Sequence, residues 1–278
     1  MMYQTKNDSR EQLTVLVADG FSRLSLVMMS LLLLLLASVV NANNAKNVHM
    51  KDNQQAEVAE VTQGLSKESY LAYADQLLGE QKFKLALKYY DKVIRLDRDI
   101  DAAFLGRSIA NDGAGRLEES IADLNVYILR NPDDSMAHVY RGVRYMSRGD
   151  MVVAETNLLK AIELDPRNAR AYDDTGVLYA RQGYLEHSLK YFGQALRLDP
   201  YNETAYHNLA IVYYLQEVND KALIAVNRAI RLTPEAYDTY ILKAQILDAL
   251  GKVEEAKKVR HYAKFLNADS WKDSASIH

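Results

Sequence analysis

The chain has 278 residues, with 34 Lys and Arg set against 37 Asp and Glu, and a net charge of −3 carries no electrostatic footprint for nucleic acid. Hydrophobic residues make up 49% of it, enough for a sizeable core, and cysteine is absent. That absence excludes disulfides, thiolate zinc sites, covalent haem attachment and lipidation of an N-terminal cysteine.

The first predicted element in chain order is the apolar run Leu24 to Val40, which contains Leu31 to Leu36. It exceeds a signal-peptide core of roughly 7–15 residues and falls short of the roughly 20 needed for an upright membrane span. Two readings stay open for residues 1–42: a signal peptide removed near Val40, Asn41 and Ala42, or an uncleaved membrane anchor. A true start near Met28 is compatible with both. Either reading delivers the rest of the chain to a non-cytoplasmic compartment in the simplest insertion mode, so the expected location is periplasmic or secreted, or anchored in the membrane by residues 24–40; a cytoplasm-facing array on the same anchor stays open. The basic residues Arg10 and Arg23 before the run and Lys46 and Lys51 after it are too evenly split to set an orientation. Residues 43–66, rich in Asn, Gln, Ala and Val, read as a linker.

Beyond the linker the chain repeats itself. Its four prolines, Pro132, Pro166, Pro200 and Pro234, are 34 residues apart, the signature of a stacked helical-repeat array. Small residues return in the same register at Ala74, Ser108, Gly142, Gly176, Ala210 and Ala244, and again at Ala86, Ser120, Ala154, Ser188, Ala222 and Ala256. Two small positions per unit mark where paired helices cross, because backbones approach only where no side chain intervenes. Large residues fill the core between them: Tyr145, Tyr179 and Tyr213 in one register, Tyr90, Leu124, Leu158, Phe192 and Val226 in another. Extending the register gives six units starting at Lys67, Asp101, Ser135, Ala169, Glu203 and Tyr237, an array over 67–270 with a tail at 271–278. Each unit should be two antiparallel helices, with Gly115, Gly149, Gly183 or Gly251 in the inner turn and proline closing the second helix.

This pattern resembles the tetratricopeptide repeat family, and the unit at 169–202 carries it best through Tyr172, Gly176, Tyr179, Gly183, Ser188, Phe192, Ala195 and Pro200. The resemblance implies an all-α, right-handed superhelical solenoid of six helix-turn-helix repeats, preceded here by the N-terminal hydrophobic helix. Three departures qualify it. Asn111 and Tyr127 stand where a large residue and Ala are the rule, which predicts distorted packing in the unit at 101–134. Arg260 occupies a buried aromatic position, and Lys257, Lys258, His261 and Lys264 crowd its helix, as a polar C-terminal cap over 237–268 would require. Trp271 is expected to fold back over the cap's exposed edge.

Catalytic constellations are absent, so the chain reads as no enzyme, with no cofactor and no metal. Asp97, Asp99 and Asp101 imitate a calcium loop, but Ala102 and Ser108 stand where glycine and the bidentate Glu belong. Gly113 and Gly115 follow no strand, and the six histidines make no metal-ligand pair. His138 sits in a core register, and Asn202-Glu203-Thr204 is a glycosylation sequon in form, which matters only in a eukaryotic secretory pathway.

Function is then expected on the concave face, where the family presents the first helix of each unit to a bound peptide. By resemblance the exposed positions are Met136, Val139, Tyr140, Val143 and Met146; then Arg170, Asp173, Asp174, Val177 and Arg181; then Thr204, His207, Asn208, Ile211, Tyr214 and Leu215. They predict an apolar and aromatic groove, rimmed by Glu68, Asp75, Asp238 and Asp248. Such a groove suits a protein or peptide partner that is apolar with some basic residues. Self-association to a homo-oligomer through the same face is the rival use, and an uncleaved N-terminal segment would add the membrane as a partner. The family's carboxylate clamp is missing, since Leu71 or Val139 and Asp75 or Val143 hold its places. An asparagine ladder would need Asn at Ala72, Gly106, Tyr140, Asp174, Asn208 and Leu242, and only Asn208 fits. The expectation is a non-enzymatic interaction scaffold, exported or membrane-tethered. Its alternative is a non-catalytic subunit of a membrane-bound enzyme or secretion complex.

Overall fold

A computed structural model describes residues 66–266. The apolar run 24–40, the linker up to residue 65 and Trp271 with the tail lie outside them. The described residues form twelve helices and no strand. They pair as α1 (Lys67–Gly79) with α2 (Phe83–Leu96), α3 (Asp101–Gly113) with α4 (Leu117–Arg130), and α5 (Ser135–Arg148) with α6 (Met151–Leu164). The pairs continue with α7 (Ala169–Arg181) and α8 (Leu185–Leu198), α9 (Glu203–Leu215) and α10 (Asn219–Leu232), and α11 (Tyr237–Ala249) and α12 (Val253–Ala263). None of these helices is long and apolar enough to cross a membrane.

Local chemistry sets each boundary. Ahead of α5, α7 and α9, the side chains of Asp134, Asn168 and Asn202 accept hydrogen bonds from the backbone N–H of Ala137, Ala171 and Ala205, satisfying donors that a helix start leaves orphaned. The sequon asparagine is thus a helix cap. Every first helix closes the same way: the amides of Lys82, Arg116, Asp150, Tyr184, Val218 and Lys252 each bond the carbonyl five residues back, the long bond of a Schellman turn. That turn needs a left-handed residue, which Gly115, Gly149, Gly183 and Gly251 supply; in units one and five Gln81 (φ 55°) and Glu217 (φ 62°) take the same place.

Both small registers are buried throughout the array. At Gly176 a Cβ would stand 2.6 Å from the Phe192 ring, so the glycine is what lets that ring lie flat against α7. Phe192, Leu158, Val177 and Leu178 are fully buried and join one cluster, each contributing roughly 1.5–3 kcal/mol of burial. First helices touch first helices across units at α1 and α3, α5 and α7, α7 and α9, and α9 and α11, while among the described residues no pair of second helices shows contact of that extent. The first helices therefore line the inner side of the curve.

Two expectations need correction. Asn111 does not distort its unit, because α3 and α4 keep regular lengths and Asn111 donates to Asp123 at 3.0 Å. Arg260 is not buried: it reaches out to Asp248 at 2.6 and 3.1 Å, and only Ala256 and Ala263 of α12 are buried. The terminal unit thereby keeps a polar outer face.

Candidate functional site on the first-helix face

The expected groove residues fall into three groups. Val139, Val143, Met146 and Val177 are buried in the central core cluster, and Asp173, Asp174, His207 and Asn208 are buried too. Met136, Tyr140, Thr204, Ile211 and Tyr214 are half-buried, and only Arg170, Arg181 and Leu215 are exposed. The expected open apolar stripe is therefore corrected. First helices of successive units pack against one another along this face, and the aliphatic side chains between them are consumed as interface. The acidic rim is likewise engaged at two of its four places, where Asp75 accepts from Tyr90 at 2.7 Å and Asp248 holds Arg260.

What the face holds at its centre is polar. Asp173 and Asp174 are neighbours on α7, and Arg170, one turn earlier, reaches Asp174 only at 3.5 Å. The Arg170 guanidinium lies over the Tyr140 ring, 5.3 Å from its centroid, and Arg144 approaches the same ring at 5.9 Å while pairing with Asp112 at 2.8 Å. From α9, Asn208 faces Asp173 without completing a hydrogen bond to it. Asp173 Oδ1, Glu203 Oε1 and both polar atoms of Asn208 are buried with no partner. Such groups are costly unless something pairs with them.

Electrostatics reflect that crowding. Burial, then the charge of Asp174, pushes the Asp173 carboxyl well above the usual carboxylate range. Burial also raises Asp174, with Arg170 opposing, and pushes Glu203 up to about 7. Arg170 opposes the rise at both aspartates and Arg144 also opposes it at Asp174, whereas burial acts alone at Glu203. An ammonium, a guanidinium or an amide N–H is the chemistry that would satisfy such acceptors.

Other sequence candidates have structural posts. His138 is buried with Nε2 2.9 Å from the Pro132 carbonyl, and His207 Nδ1 lies 2.9 Å from Thr239 Oγ1. Asp97 is held by Lys67, and Asp101 accepts from Arg130 at 2.9 Å and Asn131 at 3.0 Å. No three His, Asp or Glu among the described residues could hold a metal ion. Sequence reasoning missed Glu203 as part of the cluster. It opens its unit, one residue ahead of the register taken as concave, and a carboxylate at a capped helix start reads as dipole compensation.

Residues 71–135, 169–202 and 237–259 each match a tetratricopeptide repeat profile. No curated protein matches the chain. Among solved structures, a tetratricopeptide repeat protein from Parabacteroides merdae aligns with a TM-score of 0.64 at 19% identity, over 78% of this chain and 85% of that one. The Cut9-Hcn1 hetero-tetramer of the APC/C gives a TM-score of 0.61 at 16% identity over 71% of this chain, which spans 43% of that one. For pilF of Pseudomonas aeruginosa the TM-score is 0.60 at 14% identity, over 71% of this chain and 88% of that one. These likenesses show the fold. The profile matches fall in units one, two, four and six and support a tetratricopeptide repeat protein, with no closer subfamily indicated.

Proposed function

We propose that the chain is a non-enzymatic interaction scaffold whose first-helix face binds a segment of a partner protein. Members of this family generally serve as scaffolds, and the supporting observation here is the set of unpartnered acceptors at Asp173, Glu203 and Asn208. A partner bringing a Lys or Arg to them, with apolar residues against Tyr140, Ile211 and Tyr214, supplies what the face lacks. The partner chemistry is thus basic first and apolar second, a reordering of the sequence expectation.

The test is a photo-crosslinking amino acid at Tyr214 on this face, and in a second strain at Leu129, which is 84% exposed on a second helix. A protein adduct formed at Tyr214, absent at Leu129 and lost when Asp173→Asn is added, is the expected result. Identical adducts from both positions sink the assignment, and an adduct of the chain with itself replaces the partner by a homo-oligomer.

We further propose export, or tethering through residues 24–40. The apolar run and the polar stretch after it support this. N-terminal sequencing of the native protein decides between the two, since a chain starting near Asn43 has no anchor. An intact N-terminus would favour the second reading, a non-catalytic subunit of a membrane enzyme or secretion complex.

A further inference from the structure

One register position in the second helix of each unit is read differently along the array: Tyr89, Asp123, Asn157, Tyr191, Ala225 and Val259. It faces the first helix of its own unit. In unit one Tyr89 meets Tyr73 edge-on at 4.9 Å, and in unit four Tyr191 stacks on Tyr179 at 5.2 Å and 17°. Units two and three fill the place with polar pairs, Asp123 bound by Arg107 at 2.6 and 2.9 Å and Asn157 by Arg141 at 2.7 Å. In unit five the side chain is Ala225, and a cavity of about 380 Å³ opens between α9 and α10.

Its apolar lining is Tyr206, Leu209, Tyr213 and the buried Ala225, with Ile224, 68% exposed, at its edge. Its rim is cationic. Lys221 lies 5.5 Å from the Tyr213 ring centroid and Arg228 5.8 Å from that of Tyr206, while Arg231 Nε donates only to the Asn227 carbonyl, at 3.3 Å. None of the three pairs with a carboxylate among the described residues, although thirteen ion pairs form elsewhere among them. An apolar pocket of side-chain size under three uncompensated charges calls for an occupant that is apolar at its tip and anionic around it.

We propose that this cavity is a second docking site, independent of the first-helix face, for a partner segment presenting an aromatic side chain flanked by Asp or Glu. The ring would take the place beside Tyr213 that Tyr191 takes beside Tyr179. The flanking carboxylates would meet Lys221, Arg228 and Arg231, the reverse of the charge preference around Asp173. Aromatic anchors seated in well-packed pockets are enriched among binding hot spots.

The probe is a fluorescent Asp-Glu-Tyr-Glu-Asp peptide, followed by anisotropy against the full chain. Expected is saturable binding that weakens at least tenfold for Ala225→Tyr, for the exposed charge reversal Lys221→Glu with Arg228→Glu, and for a peptide with Ala in place of Tyr. It should be unchanged in Tyr140→Ala with Tyr214→Ala. Circular dichroism checks that Ala225→Tyr remains folded, and the charge reversal tests the site without touching its apolar lining. Absence of binding, equal binding by Ala225→Tyr, or equal binding by the Ala peptide overturns the proposal. Stronger binding to a chain ending at residue 266 also overturns it, because the occupant would then be this chain's own Trp271, set between Asp269 and Asp273. Competition by anionic phospholipid vesicles, with no effect of the tyrosine, would overturn it by assigning the cations to a lipid surface.

Discussion

Units two and four place the same two registers in contact and hold them by opposite means. In unit four Tyr179 and Tyr191 stack, ring on ring. In unit two those places are Asn111 and Asp123, a buried hydrogen bond at 3.0 Å closed by Arg107, which also reaches Asp91 at 2.6 Å. The repeat fixes where two side chains meet and leaves free the physics that joins them. An apolar stack tolerates loss of a member, since the remaining ring still packs. A buried polar network does not, because each survivor keeps its desolvation cost.

The largest expected effect tests that asymmetry. Asp123→Leu leaves Asn111 buried without its acceptor and Arg107 with one partner at 45% exposure, and should cost about 3–5 kcal/mol, the scale of a broken buried pair. Tyr191→Leu in unit four should cost about 1–2 kcal/mol, a ring contact and part of its burial. Urea unfolding of both variants checks the difference. Equal losses would mean that the network is no more brittle than the stack.

Much of this architecture was legible because it is periodic. Helix starts at Lys67, Asp101 and their successors, the small crossing residues and the turn glycines all recur, so each unit vouches for the others. The candidate site was less legible. Val139, Val143 and Val177 read as surface residues within their own helices, and only the approach of the next unit's first helix buries them. The Asn111 and Asp123 exchange was visible in principle, but only by reading two registers of one unit together. Taken singly, Asn111 looked like a fault. Ala225 hides in the same way: alanine is ordinary in a helix until the five other residues of its register are set beside it.

A middle-sized effect compares the residues that open units two and five. Asp101 lies below its ordinary range because Arg130 donates to it, whereas burial raises Glu203 to about 7. The signs differ. A carboxyl held low adds stability that is lost as pH falls, while one held high is at no disadvantage below its unfolded value and becomes a liability as pH rises. From the ordinary glutamate value of 4.5 to about 7, stability should therefore decline through Glu203, by about 1–2 kcal/mol once solvent screening of this half-buried group is discounted. Asp173 and Asp174 act with the same sign. Melting temperatures of wild type and Glu203→Gln between pH 5 and 8 should converge at the acid end and separate at the alkaline end. Parallel curves would show that Glu203 does not titrate in the folded chain as its burial requires.

The smallest effect concerns a feature that units two and four share. Both turn through glycine, Gly115 at φ 73° and Gly183 at φ 81°, whereas unit five makes the same turn with Glu217 at φ 62°. An L side chain there carries a backbone penalty of roughly 1–2 kcal/mol, and glycine gives back part of that relief through a freer unfolded chain. Glu217→Gly should thus raise stability by about 0.5–1 kcal/mol, and Gly183→Ala should lower it by about 1 kcal/mol. Glu217 is exposed and the bond from its amide to the Tyr214 carbonyl survives the substitution, so backbone conformation is the only term that changes. If Glu217→Gly is neutral or destabilising, the left-handed turn is not what limits unit five.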